Sequence, residues 1–71
     1  MLLTPTELLI SAYATAGYSE KEIAAQIFRS THTVHGHIRS IREKNNLKNM
    51  AEISREFVLK FGDPKEFLKK V

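Results

Sequence analysis

The sequence predicts an all-α domain of four helices followed by a short fifth helix. Three observations support this: helix-capping patterns recur along the chain, apolar residues follow each of them at helical intervals, and no segment alternates as a β-strand does. A chain of 71 residues forms one small domain, which buries only about 60% of the surface that its unfolded chain exposes. It is too small to enclose a large pocket.

The first helix is predicted over about residues 5–16. In "TPTE", Thr4 is the N-cap, Pro5 takes the first helical position and Glu7 the third, which is the pattern of a capping box. Gly17 ends the helix. The predicted apolar stripe consists of Leu9, Ala12, Tyr13 and Ala16, and Leu8 lies beside it.

A second capping box, "SEKE", begins at Ser19 and predicts a short helix over about residues 20–27. This helix is expected to bury Ile23, Ala24 and Ile27. Three residues, 28–30, then lead to a third helix over about residues 31–45, with Ser30 as its cap. Two helices joined by a turn of about three residues are what a helix-turn-helix motif requires.

The third helix is predicted to have an apolar back and a polar, basic front. At 100° per residue, Val34, Ile38 and Ile41 fall in one narrow sector and are expected to face the core. Asn45 and Asn46 follow as a left-handed stop. The front and its two flanks comprise His32, Gly36, Arg39, Ser40 and Glu43, with His35 and Arg42 on one side and Thr33, His37 and Lys44 on the other.

A fourth helix is predicted over about residues 50–61, with Asn49 as N-cap, Glu52 at the third position and Gly62 after its end. "DPKE" then opens a last helix over about residues 64–70. We therefore expect a helix-turn-helix domain at residues 1–61 and a helical tail at residues 62–71. The apolar residues of the two helices are Met50, Ile53, Phe57 and Phe61, with Ala51 and Val58 beside them, and then Phe67 and Leu68.

Positive charge is concentrated in one block of the chain. The net charge is +3, but residues 1–28 sum to −2, residues 29–48 to +4 and residues 49–71 to +1. A basic block on an otherwise balanced small domain favours a polyanionic partner. The alternative is a basic face that does no more than contact solvent.

Metal binding and catalysis are both disfavoured. His32 and His35 are spaced to contact one ion together, but a structural zinc site needs four ligands and a catalytic one three, and the chain has no cysteine. The serines and histidines lie along one convex helix face, without the concave site of a hydrolase, and no glycine-rich phosphate loop is present. We expect no enzyme activity, no metal and no cofactor.

Location is predicted from two absences in the sequence. A cysteine-free chain suits a reducing compartment. The amino terminus is apolar but is broken by Pro5 and Glu7 and has no basic region before it, so we expect neither a signal peptide nor a membrane span.

Double-stranded DNA is the partner that accounts for every feature of the third helix. The major groove admits an α-helix and presents acceptors on guanine and a donor and an acceptor on adenine. Arg39 has the reach for a bidentate contact to guanine, and His35 donates or accepts according to its tautomer. Gly36 is unfavourable in a helix interior by about 1 kcal/mol. It is explained by close approach of the backbone to the bases, or alternatively by tight packing or by simple sequence drift.

One run of motifs matches a known family. In order, it consists of "LTPTE" at 3–7, Gly17, "SEKEIAAQIF" at 19–28, Ser30, "TVHGH" at 33–37, Ile41, Lys44, Leu47 and Asn49. On these residues the chain resembles the LuxR-type helix-turn-helix DNA-binding domain over about residues 3–58. In length it is similar to a stand-alone, GerE-like regulator, without a fused receiver or ligand-sensing domain.

The resemblance implies a dimeric transcription regulator in the bacterial cytoplasm, in the pool associated with the nucleoid. It implies base contacts from His35, Gly36 and Arg39 of the third helix. Positions that typically hold that helix on the DNA backbone or against its neighbours are Ser19, Lys21, Thr33, His37 and Lys44. The family's two-fold contact through the fourth helix implies a dimer interface of Met50, Ile53, Ser54, Phe57 and Val58.

A second function stays open from the sequence. The domain is alternatively a helix-turn-helix fold that binds another regulator or RNA polymerase through its fourth helix and tail. Glycine at base-reading position 36, Arg29 in place of the family's usual aliphatic residue, and the added "DPKEFLKKV" motivate it. For Ile53 and Phe57, an intramolecular core is the alternative to a dimer contact.

Overall fold

A computed structural model describes all 71 residues as five α-helices without any β-strand. The helices are α1 (Pro5–Thr15), α2 (Glu20–Ile27), α3 (Thr31–Lys44), α4 (Met50–Phe61) and α5 (Pro64–Lys69). The predicted all-α fold with a short extra C-terminal helix is confirmed, and every helix end lies within one residue of its predicted position. None of the helices combines the length and the apolar character needed to cross a membrane.

Local hydrogen bonds explain why the helices begin where they do. The Thr4 hydroxyl accepts from the backbone N–H of Glu7 at 3.2 Å, and the Glu7 carboxylate accepts from the N–H of Thr4 at 2.9 Å. Ser19 and Glu22 form the same capping box at 3.1 and 2.8 Å. These caps depend on residues three apart in the chain, which is why they were predictable from the sequence.

Helix α1 lies at the centre of the molecule and packs against the other four helices. It is therefore buried on several sides, and Ile10, Ser11 and Ala12 are all inaccessible to solvent. The predicted stripe included Ala12 but not Ile10, whereas Leu9 and Tyr13 are only half-buried. A single helical stripe describes a helix with one buried face, and α1 has more than one.

The main hydrophobic core joins α1, α2, α3 and α4. The predicted core residues of α3 all belong to it, and the whole cluster consists of Ile10, Ile23, Ala24, Val34, Ile38, Ile41 and Ile53. Because Val34, Ile38 and Ile41 share one side of α3, their burial fixes the rotation of this helix about its axis. The opposite side of α3 is thereby directed to solvent.

Helix α5 covers the end of the molecule by packing against α1 and α4. The ring of Phe67 meets the ring of Phe57 edge-on, with centroids 5.4 Å apart, and lies 5.8 Å from that of Phe61. Phe57 and Ile53 are both 0% exposed. This burial confirms that Ile53 and Phe57 are core residues, the alternative to a dimer contact, and their part in a dimer interface stays an untested prediction.

Candidate nucleic-acid interface

The turn between α2 and α3 is held in a conformation that reverses the chain within three residues. Phe28 ends α2 in the left-handed region, with φ 58° and ψ 45°. The next N–H, that of Arg29, donates to the carbonyl of Ala24 at 3.0 Å and closes the last turn of α2. Ser30 then caps α3 by accepting from the N–H of Thr33 at 3.1 Å. The predicted three-residue turn thus connects α2 directly to α3.

The three residues expected to contact bases share the solvent side of α3. Arg39 is 72% exposed and lies 3.7 Å from the carboxylate of Glu43, four residues further along the helix. Gly36 is also exposed, and a Cβ added to it would meet no atom within 4 Å. Tight packing within the chain therefore does not explain this glycine, and close approach of its backbone to bases remains a prediction.

His35 connects the exposed side of α3 to the start of α2. Its Nδ1 lies 3.2 Å from both carboxylate oxygens of Glu20, while its side chain remains 64% exposed. Glu20 is flanked in sequence by Ser19 and Lys21. The structure thereby brings the predicted backbone-contacting start of α2 next to a predicted base-contacting residue.

Lys44 contacts another part of the protein, although its side chain remains 36% exposed. Its ammonium group forms an ion pair with the Glu7 carboxylate, which is almost fully buried. Burial alone raises the pKa of Glu7, but hydrogen bonds from Lys44 and the Thr4 backbone, the charge of Lys44 and the Ser40 hydroxyl outweigh it and lower that pKa. Lys44 therefore ties α3 to α1, and its contact with a DNA phosphate remains a prediction.

The other predicted DNA-backbone residues differ in their surroundings. The Thr33 hydroxyl accepts from that of Ser30 at 2.9 Å, and the Ser19 hydroxyl is used in its own capping box. Lys21 is exposed and forms no ion pair, and His37 is half-buried without a hydrogen-bond partner from its side chain. Two of these four residues lie on α3 and the other two lie at the start of α2.

Two side chains near the end of α3 position the neighbouring chain segments, and sequence reasoning gave neither of them this task. Arg42 donates to the carbonyl of Lys48 at 3.0 Å and so holds the loop that leads to α4. Asn45 donates to the carbonyl of Leu2 at 2.9 Å and accepts from the N–H of the same residue. The signal that could have indicated this contact is that Asn45, at 100° per residue, falls on the core side of α3, where a polar side chain needs a hydrogen-bond partner.

A cleft of about 630 Å³ runs beside the exposed face of α3. Charged residues of both signs line it: Glu20, His35, Arg39, Arg42, Glu43 and Lys48. Nowhere in the molecule do three or more histidine, aspartate or glutamate side chains come together in a group that could hold a metal ion. The cleft is thus a charged, hydrogen-bonding groove next to the residues expected to contact bases.

Along α4, Met50, Ser54 and Val58 follow one another at intervals of four residues. Met50 and Ser54 are half-buried, and Val58 is 49% exposed. These three residues are the members of the predicted interface that retain accessible surface.

Comparison with known families gives one match. The model of a family described as "Bacterial regulatory proteins, luxR family" matches residues 1–57. The matched segment contains α1, the whole of α2, the turn and α3, and α4 as far as Phe57. No curated protein and no solved structure gives a significant match.

Proposed function

The chain belongs to the luxR family of bacterial regulatory proteins, whose helix-turn-helix domains are DNA-binding regulators of transcription, and we propose that it is a dimeric, sequence-specific regulator that inserts α3 into the major groove. The observation that carries this proposal is the orientation of α3. Burial of Val34, Ile38 and Ile41 on one side directs His35, Gly36 and Arg39 outward on the other. One α-helix fills the width of a major groove.

The proposed base contacts use the exposed chemistry of α3. Arg39 forms a bidentate contact with guanine O6 and N7, the commonest specific contact in the major groove. His35 bonds a neighbouring base edge. Gly36 lets the helix backbone come closer to the bases than any side chain would allow, which accounts for a helical glycine with open space around it.

The proposed backbone contacts surround these readers. Ser19 caps α2 and Lys21 lies in its first turn, at the end of the helix whose dipole favours a phosphate. Thr33 and His37 face the phosphates from the other flank of α3. Lys44 contributes through its ion pair with Glu7, because that pair fixes the angle of α3 against α1.

We further propose a two-fold dimer formed through the exposed stripe of α4, Met50, Ser54 and Val58. Pairing there would place the two copies of α3 about 34 Å apart, one turn of the double helix, and would require a pseudo-palindromic site. Ile53 and Phe57 lie behind this stripe and support it from the core.

In-vitro selection from random duplexes, followed by gel-shift titration at moderate salt, tests this proposal. We expect one enriched sequence, and we expect Arg39→Ala to weaken its binding by about 1 to 3 kcal/mol while relaxing discrimination at one base pair. Lys60→Ala is the control, since it removes a positive charge from α4 instead of α3. Failure to enrich or bind any duplex would overturn the proposal.

A second candidate function is binding of a protein partner. A smaller cleft of about 350 Å³ lies between α5 and the end of α1, and Tyr13, Tyr18 and Leu68 line it together with Lys65 and Lys69 and without any acidic residue. This combination suits an acidic segment of another regulator or of RNA polymerase. A 1:1 complex whose affinity is untouched by Arg39→Ala, in a chain that binds no DNA, would favour this function over the first.

A further inference from the structure

The contact between His35 and Glu20 has a chemical consequence beyond holding α2 against α3. Both carboxylate oxygens of Glu20 lie 3.2 Å from Nδ1 of His35. An ionised carboxylate only accepts hydrogen bonds, so the proton of a neutral His35 ring must be on Nδ1. The second nitrogen, Nε2, then carries a lone pair and no proton.

We propose that Glu20 is a positioning residue that sets which hydrogen-bonding role His35 presents to DNA. This inference rests on the proposed function of α3 as the reading helix. With Nδ1–H directed at Glu20, the neutral ring offers only an acceptor to the groove. The hydrogen-bond donors on the major-groove edges of the bases are the amino groups of adenine N6 and cytosine N4. His35 therefore selects adenine or cytosine as long as its ring is neutral.

Protonation of His35 reverses this preference. The imidazolium carries a proton on Nε2 as well and becomes a donor, which suits guanine N7 and O6 or a phosphate oxygen instead. The charged groups that share the cleft with His35 are Glu20 from α2, Arg39, Arg42 and Glu43 from α3 itself, and Lys48 from the following loop. The same position thus reads different bases with a neutral and with a protonated ring.

Glu20 acts by fixing the tautomer of His35 and contributes little to the stability of the fold. The side chains of His35 and Glu20 are 64% and 41% exposed, and exposed pairs of this kind contribute little to folding. Glu43, the other carboxylate beside the readers, is placed against Arg39 instead. Each of the two hydrogen-bonding readers on α3 therefore has its own carboxylate, and only Glu20 acts on the tautomer of His35.

The first test uses the full chain without DNA. Nitrogen-15 NMR of labelled histidine at about pH 8, where an unperturbed histidine is neutral, reports which ring nitrogen carries the proton. We expect Nδ1–H at His35 in the natural chain and a shift toward Nε2–H in Glu20→Ala. His37, which has no carboxylate partner, serves as the internal control. A His35 protonated on Nε2 in the natural chain, or one that Glu20→Ala leaves unchanged, would overturn the proposal.

The second test repeats the selection from random duplexes at the same pH. We expect adenine or cytosine at one position of the enriched site, favoured over guanine by about tenfold or more, and a loss of that preference in Glu20→Ala. Glu56→Ala removes the same charge from α4, where it forms no ion pair, and is expected to retain the preference. Strong binding with guanine selected at that position by both proteins would refute the role of Glu20. Absence of DNA binding with the Nδ1–H tautomer present would instead refute the proposed function.

Discussion

Two residues adopt a left-handed backbone conformation without being glycine. Phe28 ends α2 at φ 58°, and Asn46 follows α3 at φ 56°. Asparagine tolerates this region because its short polar side chain bonds locally, whereas a bulky side chain there is strained. Phe28 is also 88% exposed, so packing does not offset its strain. The turn that positions α3 is therefore built on a residue poorly suited to it.

Phe28→Gly should stabilise the protein. Glycine occupies the left-handed region without steric penalty, so we expect the free energy of unfolding to rise by about 1 kcal/mol. Urea denaturation measures the change. Asn46→Gly is the matched control and should have a smaller effect, because asparagine is already tolerated there. A destabilised Phe28→Gly protein would show that the Phe28 ring makes a stabilising contact.

Glu7 shows how one residue can serve a local and a distant purpose together. Its buried carboxylate completes the capping box of α1 and also forms an ion pair with the partly exposed Lys44 of α3. The first contact follows from sequence spacing and was predicted. The second joins residues 37 positions apart. The helical wheel of α3 gives only the direction of Lys44 around the helix axis, and this direction does not show whether its partner is α1 or DNA.

The lowered pKa of Glu7 makes stability depend on acid. Ionised Glu7 favours the folded state, so its contribution is complete above its ordinary pKa of 4.5 and is lost as pH falls through the lower value of the folded protein. We expect the free energy of unfolding to fall below about pH 5, and to fall less steeply in Glu7→Gln. Urea titrations across this range measure both slopes.

Glu22→Gln is the control for that measurement. The backbone and hydroxyl of Ser19 also lower the pKa of Glu22, but this carboxylate is fully exposed. Its replacement should therefore leave most of the acid dependence in place. Equal slopes in the natural chain and in Glu7→Gln would contradict the assigned role of the buried pair.

At the scale of whole elements, α3 and α5 differ in how far their sequences predict their positions. The apolar sector of α3 was sufficient to orient it, because one side is buried and the other is not. The sequence of the tail alone is compatible with three arrangements: covering α4, extending a dimer, or remaining free. In the structure α5 packs on α1 and α4 through Phe67. We therefore propose that residues 62–71 stabilise the DNA-binding unit at residues 1–61.

Phe67→Ala tests that proposal. Because Phe67 is half-buried against Phe57 and Phe61, we expect a loss of about 2 kcal/mol, below the 3 to 5 typical of a fully buried phenylalanine. Thermal or urea denaturation measures it. Leu59→Ala, at an exposed position of α4, should change stability by about 0.5 kcal/mol or less. Equal stability of the two variants would mean that α5 does not support the domain.

At the scale of the whole molecule, the proposed dimer depends on which surface of α4 remains outside the core. The core uses the inner side of α4, and the proposed contact uses the flank formed by Met50, Ser54 and Val58. This stripe is narrow and combines one polar with two apolar side chains. Such a surface suits a dimer whose pairing is reinforced when both copies bind one DNA site.

Val58→Glu should prevent this pairing. A carboxylate in an apolar two-fold contact is repelled by its own symmetry mate and loses its hydration. We expect monomers in sedimentation velocity and a loss of affinity for a two-half-site duplex, with binding to a single half-site much less affected. Leu59→Glu lies about 100° around the helix and should leave pairing intact. An undisturbed dimer in Val58→Glu would place the contact elsewhere.

The sequence by itself determined the five helices, their caps, the three-residue turn, the core side of α3 and the family. The helices, caps, turn and core side depend on residues within a few positions of one another, so local hydrogen bonding and helical period are enough to predict them. The family follows from the order of such motifs along residues 3–49. Only the tertiary structure decided that Ile53 and Phe57 are core residues, that Lys44 pairs with Glu7, that Asn45 holds Leu2, and that His35 meets Glu20. These contacts join residues distant in the chain, and no local pattern specifies which helices are in contact.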